Sequence, residues 1–596
     1  MKDKGKKVWK CFASNPLIFI LYTLFSTLHP SSFILSLPHL SENESVKFVY
    51  AHLRIKDAQS ANGEAVEALH LYPHSKPLWE AYIKVLATQK NEKEMISIWQ
   101  QYVDVFPEER ENRALNETLA WGIIDNASYS SSPIIRVMAL LSAFLSQDIK
   151  GIEILRRNLQ DNNSRIRGIA VQLSANLRDE DIQDEVYHLF QKETVWNVRL
   201  EAIHTLGGMK IKKAQKELLM LLQNSKTTAE ETTAIIEALV EMWDTGTRDE
   251  VARLAQSNRA GLRLLACQFI AHFEMKNDID LIVPLINDHN ADVRKAALWV
   301  IGYLRIQQLE GHSVVSIAEK KLADMDPLVG IKAAWVITLN DPEKGQKAFK
   351  PWFENANRDV RIMAAAHLAA CGKYAFPLIA EQFKQSKDPY VKMNLSFGLL
   401  GECTDMQSAC WALYEGLQIV KEKWAWDEKS HVRALIPSKL RHTDDLNNSP
   451  ETVDHITRLE ILNLLAIMKF PHAQQAIKSF LQQKTWGITA MAAATLLTEG
   501  DEAALELVQN LMNDPDMQVR IQAALILALW GGGDIALNTL SKAYSQVDRE
   551  MKERILEGIV KISSPKSIPF LLDRLQEPNQ SLRVMAAAGI ILCLYH

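Results

Sequence analysis

Apolar residues recur every three to four positions along most of this chain, which is the spacing of one face of an α-helix. The stretch at 288–304, DHNADVRKAALWVIGYL, shows the pattern most clearly. Small residues at Ala296 and Ala297 are followed by larger apolar residues such as Leu298 and Ile301. Because alanine side chains end at Cβ, a neighbouring helix can approach closely. We therefore predict an amphipathic helix here that buries its apolar face against a helix built in the same way.

Related stretches follow at a nearly constant spacing. Most have a basic residue just before the small residues, and the clearest copies contain Arg167, Arg199, Arg361, Arg520 and Arg583. Fainter copies contain Arg136, Arg263, Lys332, Lys392, Arg458 and Arg554, and in one copy the basic position is Thr489. Arg263 lies 31 residues before Arg294, and Arg361 lies 31 residues before Lys392. A fixed period of this length predicts a solenoid in which each helical hairpin packs on the next.

These segments, of the form D-x₃₋₄-[VI]-R-x-x-A-x-x-L, resemble the HEAT-like repeats of bacterial proteins, a type also found in phycobilisome lyases. The resemblance covers residues 132–596 apart from one irregular patch. It implies an all-α fold, an α-solenoid superhelix of about 14–15 hairpins of about 31 residues each. This architecture serves many functions, so the resemblance indicates the fold and leaves the function open.

An acidic residue precedes the basic residue by six positions in seven copies. The pairs are Asp161/Arg167, Glu193/Arg199, Asp288/Arg294, Asp326/Lys332, Asp514/Arg520, Asp548/Arg554 and Glu577/Arg583. The acid falls in the turn before the helix, where it can accept hydrogen bonds from unpaired N–H groups and favours the positive end of the helix dipole. In the proteins that this sequence resembles, the two side chains form a ladder between adjacent repeats. Because the same pair recurs in so many copies, we interpret it as structural rather than catalytic.

Residues 1–37 have the layout of a signal peptide or a membrane anchor. Five lysines among the first ten residues precede the apolar stretch PLIFILYTLFSTL. This layout predicts a protein exported to the periplasm or secreted, or one anchored in a membrane. A hydrophobic N-terminal helix docked on the solenoid of a cytoplasmic protein is the alternative.

Residues 41–127 follow a different pattern from the main array. Tyr72-Pro73 recurs as Phe106-Pro107, 34 residues later. A helix-turn-helix unit of this length that ends at proline resembles a tetratricopeptide repeat (TPR), and about two copies are present. We expect these TPR-like hairpins to stack on the first HEAT-like repeat.

HEAT-like repeats at 132–401 and 451–596 flank an irregular segment at 402–450. Lys392 and Arg458 are 66 residues apart, two periods, and no clear copy of the motif lies between them. Trp and Arg are favoured at binding hot spots, and the candidate partner-binding residues here are Trp411, Trp424, Trp426, Arg433 and Arg441. The alternative is a decayed repeat whose tryptophans fill its core. If the segment is helical, Trp426 points away from Trp424.

Composition and missing motifs narrow the function. The formal net charge of −5 argues against a general nucleic-acid-binding surface. There is no phosphate-binding G-x-x-x-x-G-K-[ST] motif, no G-x-S-x-G motif, and no His-Glu dipeptide of the kind that metal-dependent hydroxylases with HEAT-like repeats use. We therefore predict a non-enzymatic protein–protein interaction scaffold that uses the curved surface of the solenoid and has no cofactor or metal, with any membrane contact made through the N-terminal segment. The alternative is a lyase-type enzyme or accessory subunit that acts on a bound cofactor or a partner protein.

Overall fold

The computed structural model describes residues 40–146, 148–177, 179–244, 247–427, 431–439, 450–482, 502–529 and 533–595. The chain divides into two compact units, of which unit 1 ends at Val105 and unit 2 begins at Phe106. The segment at 1–37 lies outside the described residues. Within the described ranges, no helix combines the length and the apolar character that crossing a bilayer requires.

Unit 1 contains the helices α1 (Glu42–Arg54), α2 (Ala58–Leu71), α3 (Lys76–Thr88) and α4 (Glu92–Val105). Each packs against the next, so the helices form two successive hairpins. Asp57 and Ser75 cap α2 and α3, because their side chains accept hydrogen bonds from N–H groups in the first turn. Two hairpins thus lie where the 34-residue spacing places them. The unit ends at Val105, however, whereas the sequence pattern extended this region to residue 127.

Unit 2 holds the long helical array. Its helices are α5 (Arg113–Ser128), α6 (Pro133–Ser146), α7 (Ile149–Asn158), α8 (Ser164–Ser174), α9 (Glu180–Lys192), α10 (Trp196–Gly208), α11 (Gln215–Gln223), α12 (Ala229–Met242), α13 (Arg248–Ala255), α14 (Ala260–His272), α15 (Val283–Ile286), α16 (Ala291–Tyr303), α17 (Val314–Glu319), α18 (Pro327–Asn340), α19 (Pro342–Phe353), α20 (Arg358–Ala369), α21 (Phe376–Gln385), α22 (Pro389–Gly401), α23 (Met406–Ile419), α24 (Pro450–Ile467), α25 (Ala473–Leu481), α26 (Glu502–Leu511), α27 (Met517–Leu529), α28 (Asp534–Ala543), α29 (Arg549–Ile562), α30 (Ile568–Arg574) and α31 (Gln580–Tyr595). Short 3₁₀ turns lie at Pro107–Glu111, Lys212–Ala214, Lys276–Ile282, Gly372–Ala375, Tyr544–Gln546 and Pro565–Ser567.

The helices that carry the repeated motif form one layer. These motif helices are α6, α8, α10, α12, α14, α16, α18, α20, α22, α24, α27, α29 and α31, and from α6 to α22 each packs against the next one along the chain. Gly207 shows how closely they approach, since a Cβ at this position would lie 2.6 Å from the Cα of Ala238 on the next motif helix. The remaining helices pack between successive motif helices and complete the hairpins. The prediction of an all-α solenoid is confirmed.

The first and last repeats of unit 2 also pack against each other. α31 contacts α29 and α30 and, in addition, α5 and α6. Val584, Ala587 and Ile590 of α31 have no exposed surface, as expected for a helix that is apolar on all sides. The guanidinium of Arg113 lies over the ring of Tyr595, 5.2 Å from its centre. The array of unit 2 therefore packs end to end.

Two short β-hairpins interrupt the helices in the described ranges of unit 2. Strands β1 (Gln308–Leu309) and β2 (His312–Ser313) form a small turn before α17. Strands β3 (Trp424–Asp427) and β4 (Ala434–Pro437) form an antiparallel pair between α23 and α24. β4 packs on α20 and α22, and β3 packs on α24. A hairpin thus stands where the 31-residue period places a motif helix.

Candidate functional site

The ladder links successive repeats from Arg136 to Arg294. The guanidinium of Arg294 donates to the carbonyl oxygen of Asp288, six residues earlier, at 2.8 Å. It also donates to both carboxylate oxygens of Asp324 in the next repeat, at 2.9 and 2.7 Å. Side-chain pairs of the same kind join Arg136 to Asp161, Arg167 to Glu193, Arg199 to Glu231 and Arg263 to Asp288. The acid and the base of one copy therefore do not pair through their side chains, and the base reaches the acid that follows.

Burial makes these pairs matter for stability. Arg263 and Asp288 expose only 6% and 5% of their side chains. Burial acts to raise the pKa of Asp288, but hydrogen bonds from Arg263 and from the N–H of Asn290 outweigh it, so the pKa lies below its ordinary value. Asp288 is therefore charged at neutral pH, and its stabilising contribution is lost as the pH falls through the lowered pKa.

The acid of a ladder pair has a fixed place relative to the start of its helix. Asp288 lies two residues before Asn290, the capping residue of α16, and Arg294 lies four residues after it. Asp326 differs, because its own side chain caps α18 by accepting a hydrogen bond from Leu328. Asp548 likewise caps α29. These two acids are out of register by two residues, so the bases six positions later do not reach the ladder.

Lys332 and Arg554 show the consequence of this register. Lys332 is 1% exposed within α18, and its burial lowers its pKa to about 7, helped by Lys295 and opposed by Asp427. Arg554 pairs with Glu550 of its own helix at 2.5 Å. Neither residue forms the rung that the sequence pattern assigned to it.

The C-terminal copies keep the main-chain part of the ladder. Arg520 and Arg583 donate to the carbonyl oxygens of Asp514 and Glu577 at 2.6 and 2.7 Å. The carboxylate of Asp514 pairs with Lys478 at 2.8 Å. Thr489, which stands at the basic position of the preceding copy, lies outside the described residues.

The hairpin of β3 and β4 is fastened to the motif helices through its main chain. The side-chain amide of Asn394 on α22 donates to the carbonyl oxygen of Leu435 at 2.8 Å and accepts from the N–H of Leu435 at 2.9 Å. On the other strand, the N–H of Trp424 donates to the carboxylate of Asp454 on α24 at 2.7 Å. Both outer edges of the hairpin are thus bonded to side chains of the array.

The tryptophans of the hairpin lie on one face of β3, because side chains two residues apart in a strand point the same way. Trp424 is fully buried, with its ring 6.4 Å from that of Tyr390 and the guanidinium of Arg458 4.2 Å from its centre. Trp426 is half-buried against Phe397 at 5.5 Å. Trp424 was a candidate partner-binding residue, but it has no surface to offer and fills the core. The expectation that Trp426 points away from Trp424 applied to a helix, and the segment is a strand.

The tip of the hairpin reaches helices far earlier in the chain. His431 stacks on Trp299 of α16, with ring centres 4.3 Å apart, and its Nε2 lies 2.8 Å from Nε2 of Gln268 on α14. His367 on α20 is fully buried, and burial and the nearby charge of Lys332 lower its pKa to about 3. The hairpin therefore crosses the motif-helix layer from α24 to α14.

The exposed side of the hairpin carries paired charges. Arg433 lies 4.3 Å from the ring centre of Trp426 and pairs with Glu460 at 2.5 Å, while 53% of its side chain stays exposed. Glu460 also accepts a hydrogen bond from the indole N–H of Trp426. Lys439 pairs with Asp359 on α20 at 2.6 Å. Arg441 lies outside the described residues.

Trp411 belongs to a separate aromatic cluster. It lies on α23, is 44% exposed, and contacts Tyr414, Phe470 and His472 at ring distances of 5.6, 5.3 and 5.0 Å. The cluster joins α23 to the turn before α25. Trp411 therefore marks a different surface from that of Trp426 and Arg433.

Sequence reasoning missed the residues that hold the hairpin, namely Asn394, Asp454 and Glu460. The available signal was the alternation Trp-Ala-Trp followed by the apolar run Ala-Leu-Ile before Pro437, which is typical of short strands. Within the described residues, no group of three or more His, Cys, Asp or Glu side chains is arranged to hold a metal ion.

The helical array and its ladder define the class of this protein as an α-solenoid. Residues 504–590 match the family model for HEAT repeats. The comparison with curated proteins gives no match.

Solved structures of helical-repeat proteins resemble the chain at a distance. Karyopherin Kap121p bound to the C-terminus of the phosphatase Cdc14p is 11% identical with a TM-score of 0.31, and the match covers 91% of this chain and 79% of that one. An UNC-45 chaperone is 11% identical with a TM-score of 0.33, covering 90% and 73%. UNC-45 from Drosophila melanogaster is 10% identical with a TM-score of 0.25, covering 93% and 90%. Likeness at these scores carries no argument about function.

Proposed function

We propose that this chain is a non-enzymatic scaffold that binds a protein partner on the hairpin-bearing part of its motif-helix layer. The observation that carries the proposal is the group formed by Trp426, Arg433 and Glu460. The guanidinium stacks on the indole and is paired with the carboxylate, yet more than half of the Arg433 side chain remains exposed. Trp and Arg dominate binding hot spots, and a side chain that is already fixed loses little entropy on binding.

The charge pattern favours a protein partner over a nucleic acid. The formal net charge of the chain is −5, and the basic residues of the hairpin, Arg433 and Lys439, are paired with Glu460 and Asp359. A nucleic-acid surface would need basic side chains whose charge is available to phosphates.

The test is to capture the partner from the native cell with the wild-type chain and to repeat the capture with Arg433→Ala. The matched control is Arg248→Ala, which removes a similarly exposed arginine that pairs with Asp280 elsewhere in unit 2. We expect Arg433→Ala to unfold like the wild type and to lose the partner that wild type and control both retain. Capture that is equally efficient with Arg433→Ala would remove this surface from consideration.

Two narrower proposals accompany this function, and one proposal competes with it. Residues 1–37 direct the chain to or through a membrane, and finding the full-length chain wholly in the soluble cytoplasm would contradict this. α1 to α4 form TPR-like hairpins that contact a protein partner by themselves, and deleting them should weaken capture. The competing proposal, a bacterial lyase-type accessory, requires a coloured or fluorescent ligand to be retained on purification.

A further inference from the structure

The motif-helix layer holds β4 in the way that a binding groove holds a peptide. A carboxamide offers the donor and the acceptor that a neighbouring strand would offer, and Asn394 gives both to the main chain of Leu435. This recognition does not depend on the side chain at Leu435. It is the main-chain component of extended-peptide binding, to which pockets for side chains add specificity.

The side chains of β4 occupy such pockets. Ala434 and Leu435 have no exposed surface, whereas Ile436 and Pro437 remain partly exposed. The strand packs on α20 and α22. The groove therefore accepts a small residue followed by a large apolar one, in extended conformation.

We infer that this part of the motif-helix layer is a groove for an extended polypeptide segment and that β4 is its occupant within the same chain. The inference rests on the proposed function, because it states what the protein partner presents, an extended segment with apolar residues in the places of Ala434 and Leu435. Such a segment replaces β4 and pairs with β3 and Asn394. The bound form exchanges the hydrogen bonds of β4 for those of the partner segment.

The tether of β4 sets the conditions under which a partner enters. A segment held in the same chain as its site acts at an effective concentration on the order of millimolar. A free peptide with the same contacts therefore competes poorly until the packing of β4 is weakened. Shortening the buried side chain of Leu435 weakens that packing and leaves Asn394 in place.

The probe is a fluorescein-labelled peptide with the sequence of residues 432–439, VRALIPSK. We expect saturable binding to full-length Leu435→Ala that is at least about tenfold tighter than binding to the wild type. Adding Asn394→Leu to Leu435→Ala should weaken binding at least about tenfold, since a lost buried hydrogen bond is worth about one factor of ten. N-methylation of the leucine nitrogen in the peptide should have a similar effect.

Absence of peptide binding to a folded Leu435→Ala chain, or binding that ignores Asn394, would overturn the inference. If Leu435→Ala does not fold, the wild type is titrated to millimolar peptide while amide exchange of residues 431–439 is followed. Faster exchange of the native strand supports displacement, and unchanged exchange overturns it. These measurements use purified chain, so their failure is distinct from failure of the Arg433→Ala capture experiment.

Discussion

Asn394 and Gln522 stand at the same position of their motif helices, and substituting them should shift stability in opposite directions. Each lies six residues after the aspartate that begins its helix, Asp388 for α22 and Asp516 for α27. Both side chains are fully buried. Asn394 bonds both main-chain groups of Leu435, whereas the amide nitrogen and oxygen of Gln522 have no hydrogen-bond partner among the residues that the structure describes. We choose Asn394→Leu and Gln522→Met because each conserves most of the side-chain volume.

The expected magnitudes follow from what each substitution leaves unpaired. Asn394→Leu leaves the N–H and C=O of Leu435 buried without partners, at about 1–3 kcal/mol each. The added apolar surface offsets part of this, so the net cost is about 2–4 kcal/mol. Gln522→Met removes two buried polar atoms that have no partner in the described part of the chain, without leaving new ones there. It should stabilise the chain by about 1–3 kcal/mol.

Local amide exchange is the appropriate assay, because long repeat arrays need not unfold in a single step. A cost of about 3 kcal/mol corresponds to exchange about 150-fold faster in the hairpin peptides of Asn394→Leu. In Gln522→Met, exchange of residues 517–529 should slow. Unchanged hairpin exchange in the first variant, or faster exchange of 517–529 in the second, would refute the reasoning from hydrogen-bond satisfaction.

Three further predictions address the rest of unit 2. Arg263→Met should lower the free energy of local unfolding by about 3–5 kcal/mol at neutral pH, because it leaves Asp288 buried without its cation. Amide exchange of residues 260–272 checks this, and the half-exposed control Arg248→Met should change exchange little. Ala587→Asp places a charge in the helix that joins the first and last repeats. Light scattering during a thermal scan should show aggregation or unfolding at a lower temperature than in the wild type. A scan identical to that of the wild type would contradict the end-to-end packing. The pKa of Lys332 falls from 10.5 to about 7 on folding. Between these two pH values the ammonium group is protonated in the unfolded chain and mostly neutral in the folded chain, so stability rises with pH over this range. Lys332→Met should therefore stabilise the chain most below pH 7 and lose its advantage towards pH 10.5, and a pH-independent difference between the two chains would contradict this assignment.

The repeated helices could be predicted from sequence because their information is local. Ala296, Ala297 and the apolar residues around them indicate the helix and its buried face within one stretch of chain. The 31-residue period indicates that this face packs on the helix of a neighbouring repeat. The same locality explains the errors of register at Asp326 and Asp548. An acid six residues before a base satisfies the pattern whether it precedes the capping residue or is itself that residue. Only the start of the helix separates the two cases, and helix boundaries are the least certain part of sequence reasoning.

The hairpin could not be predicted in the same way, because its stability is not local. An isolated two-stranded hairpin is marginal in water. This one is held by Asn394, 41 residues from Leu435 along the chain, and by Asp454, 30 residues from Trp424. Neither partner belongs to a recognisable motif, so only the loss of the repeat pattern was visible. The alternative of a decayed repeat placed tryptophans in its core, and Trp424 is fully buried there, whereas Trp411 is not.

The end-to-end packing of unit 2 has a cause that is visible in α31 itself. The segment 582–593, LRVMAAAGIILC, carries one charged residue, Arg583, and that residue belongs to the ladder. A helix that contacts neighbours on one side only has room for polar residues on the other. α31 has almost none, and the structure covers it with α29 and α30 on one side and with α5 and α6 on the other. An apolar helix of this kind requires two partners, and a search for stripes that are apolar on every side would have identified it from sequence alone. The sequence does not show which helices form the second contact. Whether helices at opposite ends of unit 2 meet depends on the curvature of every repeat between them.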